Sequence, residues 1–176
     1  MDEIKSLLLN QIKNGGISKS TFDSLTDSSK NLLYQKNEKY YLKPEARAKL
    51  KVVLSGGVFD VLHIGHIITL FEAKKQGDIL VVAIANDEYI KKKGREPIHP
   101  QEYRRMMMES LKPVDLALSG FDDPNKMIEQ VSPDVIVYGY DQKEFATPKG
   151  VKIVKLDKKI DEEKFKSNKI IKLLGF

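Results

Sequence analysis

The chain reads as an α/β protein, a parallel sheet between two layers of helices, preceded by a small helical module. Three observations carry that reading. From Lys51 onward, short apolar runs alternate with amphipathic stretches, the pattern of repeated strand–helix units. The run Ile79-Leu80-Val81-Val82-Ala83-Ile84 is apolar without alternation, so both faces of that strand are covered. Between Leu54 and Ile67 a glycine-rich turn joins a strand to a helix, and open parallel sheets bind ligands at that edge.

The first fifty residues form the module. Ile4, Leu7, Leu8 and Ile12 stand at helical spacing, and Gly15-Gly16 end that helix. Ser18 can cap a second helix running through Leu25, and Asp27 or Ser28 a third running through Leu33. Residues 34–42 read as a hairpin with a polar tip at Lys36 to Glu38, and Pro44 opens a last short helix carrying Ala46 and Leu50. Three helices followed by a hairpin resemble a winged helix-turn-helix. That resemblance implies DNA phosphates as partners of Lys19, Ser20, Lys36 and Lys39. The candidate recognition helix carries no Arg, which favours a module that packs on the second domain or mediates dimerisation.

Residues 51–176 form the second domain. Strand 52–54 leads through the glycine turn to helix 67–75, and Gly77-Asp78 turn into strand 79–85. Asn86 can cap a helix through Lys92. Pro100 begins a helix to Leu111, rich in Arg and Met. Strand 114–118, helix 125–131, strands 135–138 and 151–154, and a terminal helix over 168–174 complete the alternation.

Composition narrows the function. The 176 residues fit one ordinary domain plus a small module. With no Cys there is no disulfide framework and no thiolate metal site. No apolar run approaches the roughly 20 residues that span a bilayer, and no secretory signal opens the chain, so a cytoplasmic protein is expected. A net charge of +5 suits anionic ligands without demanding nucleic acid.

The densest chemistry lies in Gly56-Gly57-Val58-Phe59-Asp60-Val61-Leu62-His63-Ile64-Gly65-His66. His63 and His66 are two of only three His in the chain. Their turn sits at a helix N-terminus, where backbone N–H groups and the helix dipole favour anions. Two imidazoles around a glycine leave room for a phosphate chain and can neutralise charge that develops on it. The run resembles the G-x-F-D-x-x-H-x-G-H signature of the nucleotidyltransferase superfamily, with Val58 where Thr is usual. The resemblance covers residues 51–174 and implies a Rossmann-like fold that couples a nucleoside triphosphate to a phosphorylated small substrate, releasing pyrophosphate.

The resemblance distributes roles along the chain. His63 and His66 would stabilise the transferring phosphate, with Gly57, Val58 and Phe59 lining the nucleotide. Asp60, placed on the substrate side, more naturally braces the turn. One of Lys91, Lys92 and Lys93, with Lys92 favoured, would hold phosphates. Pro97-Ile98 and Arg104-Arg105 also match, and Arg104 would contact substrate unless it pairs on the helix surface. Met106 to Met108 read as packing. Gly139, with Asp141 as an acceptor, would line the nucleoside pocket. Ser167, capping the terminal helix, would face the triphosphate. The form Gly139-Tyr140-Asp141-Gln142 resembles the archaeal FAD synthetase branch and some glycerol-phosphate-type cytidylyltransferases. No Arg-x-x-Gly precedes Ser167, which argues against the bacterial glycerol-3-phosphate cytidylyltransferase branch.

The implied reaction is adenylylation of FMN by ATP. The alternatives are CTP-dependent cytidylylation of a polyol or sugar phosphate and, in another class, a DNA-binding regulator that senses a nucleotide. Mg²⁺ is expected on the triphosphate oxygens with few protein ligands, and a homodimer is expected from the fold.

Overall fold

A computed structural model describes residues 2–120, 123–140, 142, 144, 146 and 148–157. The chain divides into two compact units between Lys51 and Val52.

The first unit contains α1 (Asp2–Asn14), α2 (Lys19–Asp23), α3 (Asp27–Asn31), the hairpin β1 (Leu33–Lys36) and β2 (Lys39–Leu42), and α4 (Pro44–Arg47). The apolar stripe of α1 is buried as its spacing predicts. Ser18 caps α2 by accepting from the Thr21 amide. The cap of α3 is Thr26, not Asp27 or Ser28; its hydroxyl accepts from the Ser29 amide, and Asp27 falls in the first turn, where an acidic residue suits the helix dipole. Ile17 bridges Tyr40, extending the hairpin by a third short pairing. Two of the Lys residues expected to face DNA have employment inside the unit. Lys19 pairs with Asp23 at 3.0 Å, and Lys39 Nζ donates to the carbonyls of Asn14 at 2.7 Å and Gly15 at 3.2 Å, closing the end of α1.

The second unit carries a five-stranded, wholly parallel sheet in the order β5-β4-β3-β6-β7. Its strands are β3 (Val52–Gly57), β4 (Ile79–Ile84), β5 (Leu116–Ser119), β6 (Val135–Tyr138) and β7 (Lys152–Lys155), with α5 (Ile64–Lys74), α6 (Asp87–Lys91), α7 (Gln101–Glu109) and α8 (Pro124–Val131) between them. β4 and β6 are buried almost throughout, as continuous apolar strands require. The chain leaves β3 for β4 on one side and returns to β6 on the other, so the sheet reverses direction beside β3, where doubly wound folds place their ligands. Arg-rich α7 is amphipathic, with Met108 in the core and Met106 exposed.

Of the boundaries that differ from the sequence expectation, two bear on the site. β3 runs on through its glycines, because Gly56 and Gly57 pair with Ala83 and Ile84 of β4. α5 begins at Ile64 rather than Ile67, because His63 itself caps the helix. The expected terminal helix, with Ser167, and Asp141 lie outside the described residues. Among the described residues no helix is long and apolar enough to cross a membrane.

Candidate active site

The site grows from the cap of α5. His63 adopts extended backbone geometry, and its Nδ1 accepts the Gly65 amide at 3.2 Å. This fixes the neutral tautomer, since a ring nitrogen that accepts carries no proton and the proton sits on Nε2. The fold-back requires glycine at 65: a Cβ there would lie 2.9 Å from two atoms of the His63 ring. The His63 and His66 rings then stack, with centroids 3.8 Å apart and planes 27° apart.

Phe59 supports that pair from behind. Its backbone takes the left-handed conformation at φ 53°, a costly one for a bulky residue. The turn tolerates it because the phenyl ring slides under Gly57, where a Cβ would meet ring atoms at 2.8 and 2.9 Å. The ring meets His66 edge-on at 5.1 Å. Burial, foremost, and repulsion between the adjacent His63 and His66 rings when both take up protons push the His66 pKa down to about 3, so the ring is neutral at physiological pH. Its Nδ1 is buried and has no partner among the described residues.

Behind the turn stands a polar brace. Asp60, 2% exposed, accepts the Ile98 amide at 3.1 Å and the His99 amide at 2.9 Å, and Arg95 Nη1 donates to the same carboxylate. His99 Nδ1 lies 2.9 Å from the Asp60 carbonyl. Burial alone would raise the Asp60 pKa; the His99 amide, the Arg95 guanidinium and the Ile98 amide outweigh it and hold the carboxyl below its ordinary value. Arg104 is wholly buried. It donates from Nε to the His99 carbonyl at 2.9 Å, from Nη1 to the Val58 carbonyl at 2.6 Å and from Nη2 to Asp87 Oδ1 at 2.6 Å. One guanidinium thus ties together the glycine turn, the 95–99 loop and the first turn of α6.

The residues expected at the site therefore divide. His63 and His66 come together at the helix start with Gly57 and the Val58 backbone. Asp60 braces the turn, the role the sequence reading preferred over its placement on the substrate side, while Phe59 and Arg104, expected to touch nucleotide or substrate, face inward and hold the turn from behind. Arg105 pairs on the surface with Glu102 and Glu109. Among the three Lys, Lys91 pairs with Glu88 and the Lys93 ammonium lies 4.3 Å over the Tyr89 ring. Lys92 is exposed, with no side-chain partner among the described residues.

Gly139 follows β6, and its amide donates to Gln142 Oε1 at 2.9 Å, while Gln142 Nε2 donates to the Gly56 carbonyl at 2.8 Å. Sequence reading missed Gln142, Arg95 and His99 as parts of the site. For Gln142 the signal was its place at the end of the Gly-Tyr-Asp-Gln exit; for Arg95 and His99 none existed without knowing what Asp60 faces.

A parallel sheet that reverses beside β3, with stacked imidazoles at the adjoining helix start, defines a nucleotidyltransferase. The chain belongs to the cytidylyltransferase-like family, whose model matches residues 54–173. It is 46% identical over 129 residues to an FAD synthase of Aciduliprofundum boonei, covering 68% of this chain and 87% of that protein. An FAD synthase of Ferroglobus placidus is 44% identical over 132 residues, covering 69% of this chain and 86% of its own length. Among solved structures, a lipopolysaccharide core biosynthesis protein of Thermoplasma volcanium matches with a TM-score of 0.57 and 38% identity, over 63% of this chain and 99% of that one.

Proposed function

We propose that the protein is an FMN adenylyltransferase that makes FAD from FMN and ATP. The observation that carries the reaction class is the stacked His63–His66 pair at the α5 start, where a polyphosphate meets two imidazoles at the positive end of the helix dipole. The substrate assignment rests on the two FAD synthases, each aligned over more than four-fifths of its length.

The reaction needs no nucleophile from the protein. A phosphate oxygen of FMN attacks the α-phosphorus of ATP in line. The new P–O bond forms as the bond to the β-phosphate oxygen breaks, and pyrophosphate leaves with the electron pair. The protein supplies position and charge neutralisation. Nε2–H of His63 donates to the oxygens around the reacting phosphorus, where negative charge builds. His66, neutral and held by Phe59, presents Nε2 to the same oxygens. Lys92 pairs with the polyphosphate.

Mg²⁺ belongs to the substrate, MgATP. Both oxygens of the one carboxylate in the turn, Asp60, are already taken, and no group of three or more His, Cys, Asp or Glu among the described residues is placed to hold a cation. The triphosphate itself carries the ion.

Product analysis decides the matter. Incubation with FMN and MgATP yields FAD and pyrophosphate, while glycerol phosphate with MgCTP yields no nucleotide product. No FAD from the first pair overturns the substrate assignment, and product from the second transfers it to a polyol phosphate.

A further inference from the structure

β3 has different partners along its length. Its ladder with β4 runs to Gly57↔Ile84, but its ladder with β6 stops at Ser55↔Val137. Beyond Ser55 the two central strands part, at the reversal point of the sheet and directly before the glycine turn. The Gly56 carbonyl on one lip and the Gly139 amide on the other lie past the last pair of that ladder. The carboxamide of Gln142 joins them, accepting from Gly139 and donating to Gly56. A carboxamide answers an N–H with its oxygen and a C=O with its nitrogen, from two atoms set apart, so one side chain can reach both lips.

The surroundings hold each side of that bridge in place. On the β4 side the exit is already fixed: Gln101 Nε2 donates to the Ile84 carbonyl at 2.9 Å and to the Gly120 carbonyl at 3.3 Å, and Arg104 holds Val58. On the β6 side, Tyr138 is fully buried and its hydroxyl exchanges hydrogen bonds with Ala146, which anchors the far end of the exit loop. The near end is held to β3 by Gln142.

Building on the adenylyltransferase reading, we propose that Gln142 is a positioning residue for the nucleoside half of the triphosphate. By locking the β6 exit to the glycine turn, it sets the spacing between the nucleoside seat in the β3–β6 cleft and the imidazoles that hold the phosphates. Loss of the bridge loosens the nucleoside and leaves polyphosphate binding at the α5 start intact.

Titration calorimetry on the full chain separates the two halves, with MgATP and MgCTP as nucleotides and inorganic tripolyphosphate as the probe lacking a nucleoside. In Gln142→Ala, and in Gln142→Met, which keeps the bulk without the polar pair, affinity for the preferred nucleotide falls about tenfold, the scale of two ordinary hydrogen bonds. Tripolyphosphate affinity stays within about twofold of the wild type. Unchanged nucleotide affinity overturns the proposal and leaves the adenylyltransferase reading standing. Equal weakening of nucleotide and tripolyphosphate overturns it too, because the damage is then general. A wild type that binds neither nucleotide overturns both.

Discussion

Gly65 has no functional group, yet it governs the chemistry of its two neighbours. A methyl group there would collide with the His63 ring at 2.9 Å, and the collision is with the ring that forms half the phosphate cradle. Gly65→Ala is therefore expected to swing His63 off the Gly65 amide and lower kcat by at least tenfold, with little change in melting temperature. Steady-state FAD formation beside thermal unfolding checks this. His66 makes a prediction of different character. Its folded pKa of about 3 lies below the unfolded value near 6.5, so the folded protein refuses a proton that the unfolded chain accepts. Above pH 6.5 the ring is neutral in both states and costs nothing. As pH falls from 6.5 toward 3, stability is lost at up to about 1.4 kcal/mol per pH unit from this ring alone. Urea unfolding between pH 7 and 4 should show His66→Gln losing less stability than the wild type over that window. Both imidazoles and their glycine were legible in the sequence, because cap, spacer and partner are local. The inward turn of Phe59 was not, nor were the groups that Asp60 braces against. Burial of a side chain depends on what packs over it, and the amides that claim Asp60 come 38 and 39 residues later.

At the level of elements, the site is held by bonds that run from one element to another. Arg104 is carried by α7, Asp87 by α6, and the Val58 carbonyl by the turn after β3; a single buried guanidinium fixes all three. Its value lies in geometry, since a buried ion pair adds little net stability over an apolar substitute. Removal of one partner is another matter. Arg104→Met leaves Asp87 and two carbonyls without their donor and is expected to destabilise by about 3–5 kcal/mol. Arg104→Lys should recover little, because one ammonium cannot span three acceptors set around a planar fork. Urea midpoints for the two variants test this, and comparable recovery by Lys would refute the clamp. The elements themselves were legible from periodicity, including the buried β4 and the capped α6. Element ends were less so. β3 outlasts its apolar run because pairing with β4 carries it through two glycines, and α3 is capped by Thr26 because the hydroxyl that reaches the Ser29 amide belongs to Thr26.

Across the sheet as a whole, chemistry and stability occupy opposite edges. The carboxyl edge holds the imidazoles, Gly139 and Gln142. The amino edge is closed by two carboxylates: Asp134 accepts the Val52 amide and Asp115 the Leu80 amide, both at 2.7 Å. Each Asp stands just before the strand beside the one whose amide it satisfies, the first residue of β3 and the second of β4, so neither of these donors is orphaned. Val52 to Gly57 spans roughly 17 Å at about 3.3 Å per residue, far enough for changes at the two edges to add independently. Two variants should therefore behave as mirror images. Asp134→Ala strands the buried Val52 amide and costs about 1–3 kcal/mol, yet leaves the cradle untouched. His66→Ala leaves the amino edge intact and removes half the cradle. MgATP at about 100 times its Kd adds about 2.7 kcal/mol to the wild type, which for a chain of this size raises the melting midpoint by roughly 5–10 °C. Asp134→Ala should melt lower than the wild type and still gain the full nucleotide shift. His66→Ala should melt near the wild type and lose most of that shift. A reduced shift in Asp134→Ala would mean that the two edges are coupled through β3, and the separation of folding from chemistry along that strand would fail.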